Sequence, residues 1–152
     1  MKKRHNFLPI RKAASWQEFN KSPEYYAWRG NAFETVCLNH IGQIKYALGI
    51  SGITSNEYSW RSKKKDGGVQ IDLLIDRKDD MINLCEIKYT DRPFSVTKKY
   101  KDELLKKTEI FTEETRTKKT VHLTLITSNG LKQNENSEVV QNLIDAEALF
   151  DI

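Results

Sequence analysis

The chain has 152 residues, 38% of them hydrophobic and 30% charged, with a formal net charge of +4 at pH 7. That length is enough for one domain with a real core, and the composition is ordinary for a well-solvated surface. No apolar run approaches the ~18 residues that cross a bilayer, and the basic start "MKKRHNFLPIRKAASW" is followed by no apolar secretory region, so a cytoplasmic protein without a membrane partner is expected.

Residues 1–21 are basic, polar and without periodicity, and read as a tail or linker ahead of a domain at 22–152. "SPEYYAWRG" then supplies a helix start, with Ser22 as N-cap, Pro23 at the first helical position and Glu24 in the first turn. Tyr26, Phe33, Val36, Cys37, Ile41, Ile44 and Leu48 recur at three- and four-residue spacing, which predicts one amphipathic helix to Leu48, stopped by Gly49 and Gly52. Gly30 inside it costs roughly 1 kcal/mol against Ala, which a close approach by a neighbouring element would explain. Cys37 and Cys85 fall in apolar patterns and read as reduced core residues. His5, His40 and His122 are scattered and no CxxC pair occurs, which argues against structural zinc.

A first strand is expected over 53–61, then the loop "KKKDGG". "VQIDLLID" and "MINLCEIKY" are the strongest strand signals, joined by "RKDD" as a hairpin. "SVTKKYKDELLKKTEIFTEET" predicts a second helix with Tyr100, Leu104, Thr108 and Phe111 on one face. "TVHLTLITSNG" (120–130) reads as another strand, followed by a short strand near "EVVQNLI" and a helical turn "DAEALF" capped by Asp145. No internal repeat appears. The order α-β-β-β-α-β-(β) implies an α/β fold, a mixed central sheet flanked by helices.

The hairpin carries three charges that burial should penalise: Asp72, Glu86 and Lys88. Alternation places Gln70, Asp72 and Leu74 on one face of the first strand and Ile71, Leu73 and Ile75 on the other. A three-residue loop, Lys78-Asp79-Asp80, would set Asp72 opposite Glu86, about 5 Å apart at Cβ; a two-residue loop would put them on opposite faces. Two desolvated carboxylates that close repel, and a hard cation such as Mg²⁺ relieves both penalties by taking one or two carboxylates together with waters and phosphate oxygens. Lys88 points to the side of Glu86 and would face a scissile phosphate. The plain alternative is a cross-strand ion pair on a solvated face.

These residues also carry a resemblance. "IDLLID…INLCEIKYT" resembles motifs II and III of the PD-(D/E)XK nuclease superfamily. More narrowly, "YYAWRGNAFETVCLNHI", "GGVQIDLLIDR" and "LCEIKY" together resemble the nuclease-like domain at the C-terminus of bacterial and archaeal AAA-type ATPases, over roughly residues 16–150. The resemblance implies a restriction-endonuclease-like αβββαβ core. It also implies Asp72 and Glu86 as metal ligands with the backbone carbonyl of Ile87, Lys88 as the catalytic lysine, and Glu34 as the acidic helix residue near the same metal. An exposed carboxylate on the helix flank is the other reading of Glu34. The implied cofactor is Mg²⁺, with Mn²⁺ able to substitute, and the implied substrate is nucleic acid, DNA ahead of RNA. The residue before Asp72 is Ile71 rather than Pro, a departure at a variable position. No Walker A sequence is present, so the ATPase would be a partner module joined at the basic N-terminal segment.

Arg61, Lys63, Lys64 and Lys65 precede the hairpin, and Lys98 and Lys99 open the following helix. With Gln70 they are candidates for phosphate contacts, each block being a solvated face otherwise. Tyr58, Trp60 and Tyr89 are candidates for base stacking or for core. No base-reading motif is visible, so weak sequence preference is expected. A binding or regulatory module serving an AAA-type ATPase is the alternative to an enzyme.

Overall fold

The structure, a computed structural model, describes residues 22–150. The predicted tail at 1–21 lies outside the described residues.

Helix α1 (Pro23–Leu38) begins as its capping sequence dictates: Ser22 Oγ accepts the Tyr25 amide at 3.1 Å and Pro23 opens the first turn. The single helix expected to Leu48 is instead two. α1 ends at Asn39, the chain breaks at His40 (φ −127°, ψ 41°), and α2 runs Ile41–Ala47. The His40 ring nitrogen reaches the Val36 carbonyl at 2.6 Å, occupying an acceptor that a continuous helix would bond through the backbone. The bend lets Cys37 and Ile44 both point into one core. Gly49, at φ +74°, ends α2 as expected. Tyr26, assigned to the apolar face, is 45% exposed, and its neighbour Tyr25, at 8%, is the buried one. Nothing approaches Gly30, so close packing does not account for it.

Five strands form the main sheet in the order β1 (Ser55–Arg61), β2 (Gln70–Arg77), β3 (Met81–Lys88), β5 (Thr120–Thr127), β7 (Asn142–Asp145). The β1–β2 and β2–β3 pairs are antiparallel; β3–β5 and β5–β7 are parallel. Helix α3 (Lys98–Thr115), capped by Thr97 Oγ1 on the Tyr100 amide, makes the crossover from β3 to β5. The strand expected over 120–130 stops at Thr127, and β6 (Leu131–Lys132) pairs instead with β4 (Phe94–Ser95) in a two-stranded sheet. The last expected strand divides into a 3₁₀ turn, Ser137–Val139, and β7; α4 (Ala146–Phe150) follows, with Asp145 Oδ1 accepting the Ala148 amide.

Helices cover both faces. Cys37, Ile44 and Leu149 pack with Leu73, Ile75, Cys85, Ile126 and Ile144 on one face. On the other, Leu104 and Phe111 of α3 pack with Ile71, Leu74, Ile82, Leu84 and Leu123. This is the expected mixed α/β architecture, and continuous burial on both faces explains the near-unbroken apolar runs of β2 and β3. The thiols of Cys37 and Cys85 are buried, and burial pushes that of Cys37 up to about 12.

The hairpin register is the expected one. Leu73 stands opposite Cys85, Leu74 opposite Leu84 and Ile75 opposite Asn83, across a loop of Lys78, Asp79 and Asp80. Asp80, at φ 65°, supplies the left-handed residue that closes a three-residue hairpin loop. Arg77 reinforces it, donating to both oxygens of Asp79 (2.9 and 2.6 Å) and to Asn83 Oδ1 (3.0 Å).

Strict alternation along β2 does not hold. Tyr58 pairs with Leu74, but Trp60 pairs with Ile71, so two β2 residues, Asp72 and Leu73, stand against Ser59. This bulge turns Ile71 to the face of Leu74 rather than that of Leu73 and Ile75, against the expectation from period two.

Candidate functional site

The start of β2 and the end of β3 meet at one end of the sheet, the carboxyl end of the parallel strands β3 and β5. In open α/β sheets, ligands bind at such an end. Asp72 lies in the bulge, one residue beyond the paired stretch that starts at Leu73 and Cys85. Bulges re-aim side chains beside functional sites, and here one carries a half-buried carboxylate. Its charge bears on Glu34, from α1 on one face, and on Glu86, from β3 on the other.

Glu86 is 5% exposed. Burial drives its carboxyl above the ordinary range; Lys107 draws it back, Asp72 pushes it further up, and Lys88 draws it down. Burial and then Asp72 likewise raise Glu34. One Glu86 oxygen, Oε1, accepts from Lys107 Nζ at 2.8 Å. The other, Oε2, is buried with no hydrogen-bond partner among the described residues. An ionised carboxylate oxygen in that state asks for a cation or a water.

Lys88 Nζ lies over the Tyr100 ring, 4.7 Å from its centroid, a cation–π contact on the α3 side of the sheet. The Tyr100 hydroxyl is itself buried without a partner among the described residues, and burial together with Glu86, Glu103 and Asp72 pushes it well above the ordinary phenol value. Tyr100 and Lys107 were not among the site residues expected from sequence. They stand seven residues, two turns, apart on α3, flanking Leu104 in the stripe that packs on the sheet. A lysine inside that stripe was the available signal.

The donor set fits a hard cation held by two carboxylates with waters. Asp72 and Glu86 would supply the oxygens, Oε2 being the one without a hydrogen-bond partner among the described residues, in keeping with the partial protein coordination that Mg²⁺ accepts. Among the described residues no group of three or more His, Cys, Asp or Glu gathers to hold a metal ion, and Glu34 is linked to the site by the charge of Asp72. Ile87 lies between Glu86 and Lys88 on β3, with its side chain against the Cys37 core.

The basic candidates form two hollows. Arg61, Lys63, Lys64, Lys65 and Gln70 line one of about 550 Å³ formed by the β1–β2 loop, two residues from Asp72 along β2. Arg61 is bonded to Gln70 Oε1 at 2.8 Å, so Gln70 is engaged as an acceptor there. The loop is built rather than slack. Glu114 of α3 takes the Ser62 hydroxyl and the Lys63 amide, and a Cβ on Gly68 would fall 2.5 Å from the Lys64 carbonyl. Lys98 and Lys99 line a separate hollow with Glu103 and Lys106, and Lys98 is paired with Asp102 at 3.0 Å. Lys106 joins the two regions, since its ammonium lies 3.9 Å from where a Gly67 side chain would start. Of the aromatic candidates, Trp60 meets Phe111 edge-on in the core and Tyr89 packs beside Phe33 under the Arg29 guanidinium, whereas Tyr58 is exposed on the edge strand.

No protein-family model and no curated protein matches the chain. Among solved structures, the crystal structure of a protein of unknown function, AF1548, is similar with a TM-score of 0.50 at 11% identity, over 74% of this chain and 58% of that one. The chain thus spans a little over half the length of that protein, and the likeness concerns the fold alone. No helix among the described residues is long and apolar enough to cross a membrane.

Proposed function

We propose that the domain is a Mg²⁺-dependent phosphodiesterase of the PD-(D/E)XK superfamily, with a restriction-endonuclease-like core, cutting DNA ahead of RNA with weak sequence preference. The observation that carries this reading is Glu86: a buried carboxylate with one oxygen that has no partner among the described residues, at the carboxyl end of a parallel strand and within the field of Asp72. A surface ion pair would leave neither feature. Asp72 and Glu86 would hold the cation, with the Ile87 carbonyl as a further oxygen. When bound, the ion supplies Lewis-acid polarisation and a more acidic water. Lys88 neutralises charge that develops on the phosphoryl group, a role suited to an ammonium that rests on Tyr100 rather than in a carboxylate pair. Arg61, Lys63, Lys64 and Lys65 hold the backbone through its phosphates. A cytoplasmic location suits two free buried thiols.

Nicking of plasmid DNA tests the reading. Wild type cuts with Mg²⁺ and not with EDTA, and Lys88→Ala loses about 100-fold or more. Cutting that survives EDTA, or an unchanged Lys88→Ala, would contradict it. A partner-dependent module of an AAA-type ATPase is the second reading, favoured by the Lys107 ammonium that already engages Glu86; cleavage would then appear only when the ATPase is added.

A further inference from the structure

Glu86 already has a cation, and it belongs to the protein. Lys107 Nζ lies 2.8 Å from Oε1, with the lysine side chain 24% exposed and that of Glu86 6%. The other lysine of the site, Lys88, rests on the Tyr100 ring. Around the site Arg29 is committed to Asp91 and the Tyr89 ring, and Lys98 to Asp102. Lys107 comes from the middle of α3, where its stem lies along the helix face that carries Leu104.

A divalent ion on Glu86 and an ammonium on the same carboxylate repel at short range, in a place where little water screens them. Loading the ion therefore releases Lys107, whose three donors then need an acceptor. Two acceptors of the right kind then stand open to Lys107: the exposed Glu103 carboxylate one turn back on α3, and the phosphate oxygens of a ligand bound at the ion.

We propose that Lys107 is a positioning residue that stands in for the metal on Glu86 and couples metal binding to nucleic acid: the ion displaces the ammonium, and a substrate phosphate receives it. This rests on the metal-site reading above. The coupling is reciprocal, so DNA tightens metal binding as much as metal tightens DNA binding.

The test is calorimetric Mn²⁺ titration of wild type, Lys107→Met and Lys107→Gln, first without nucleic acid. Both variants bind Mn²⁺ about tenfold more tightly than wild type, equivalent to about 1.4 kcal/mol, because the competing charge is gone. Lys107→Gln keeps a hydrogen-bond donor for Glu86 and serves if the methionine variant does not fold. The second arm adds a short DNA duplex in the Lys88→Ala background, where turnover is blocked. DNA tightens Mn²⁺ binding when Lys107 is present and loses that effect in Lys107→Met. If wild type binds Mn²⁺ and the Lys107 variants bind it no more tightly, this inference is overturned while the metal site stands. If none of them binds Mn²⁺, both fall.

Discussion

The Lys107 ammonium and the Glu86 carboxylate meet 2.8 Å apart between α3 and β3, and the second carboxylate oxygen has no partner among the described residues. Removing the lysine leaves a buried charge unmatched. Lys107→Met in the absence of metal is therefore expected to lose about 3 kcal/mol, the low end for breaking a buried pair, because the lysine keeps some contact with water. Urea unfolding measures this. The double variant Glu86→Gln with Lys107→Met regains most of the loss, and a Lys107→Met protein as stable as wild type would show that the pair carries no weight.

The pH dependence has a definite sign. Burial raises the Glu86 carboxyl above its ordinary value, and Glu34 is raised for the same reason, with Asp72 adding to both. A carboxyl that binds its proton more tightly folded than unfolded stabilises fully below the ordinary carboxylate range. That contribution is lost as pH rises through the raised folded value. Without metal, the melting temperature of Glu86→Gln should gain on wild type as pH goes from about 4 to about 7. A gap that is constant, or that closes, would mean Glu86 is not held in a desolvating environment.

The β1–β2 loop depends on Glu114, whose carboxylate is held below the ordinary range by the Lys63 amide and the Ser62 hydroxyl. Glu114→Ala weakens DNA binding by loosening the loop that presents Lys63, Lys64 and Lys65, while leaving Mn²⁺ affinity unchanged. Lys64→Ala lowers the slope of log affinity against log salt by about 0.9 for duplex DNA. Fluorescence anisotropy over a salt series reads both effects. An unchanged slope would remove this loop from the interface.

How much of this was legible in the sequence varies from residue to residue. The hairpin register was, because Arg77 and Met81 bound three polar residues between apolar runs, and Asp80 tolerates the left-handed conformation that such a loop requires. The bulge at Asp72 and Leu73 was not. Leu73, Leu74 and Ile75 are apolar on both faces, so an extra residue leaves no trace in the alternation; it becomes visible only where β1 pairs alongside. The break at His40 was hidden for a related reason, since the apolar spacing continues across it while the backbone does not. Asp72, Glu86 and Lys88 stood out as charges in apolar strands. Lys107 did not, because α3 carries several lysines, and only its place in the stripe of Tyr100, Leu104 and Phe111 marks it as the one that turns inward.

The central claim is that Asp72 and Glu86 together form a cation site at the end of the sheet. Calorimetric titration of Mn²⁺ into wild type beside Asp72→Ala tests it most directly, with melting curves to show that both are folded. The account predicts saturable binding by wild type that is lost in a folded Asp72→Ala. Equal binding by both proteins, or none by wild type, would contradict it.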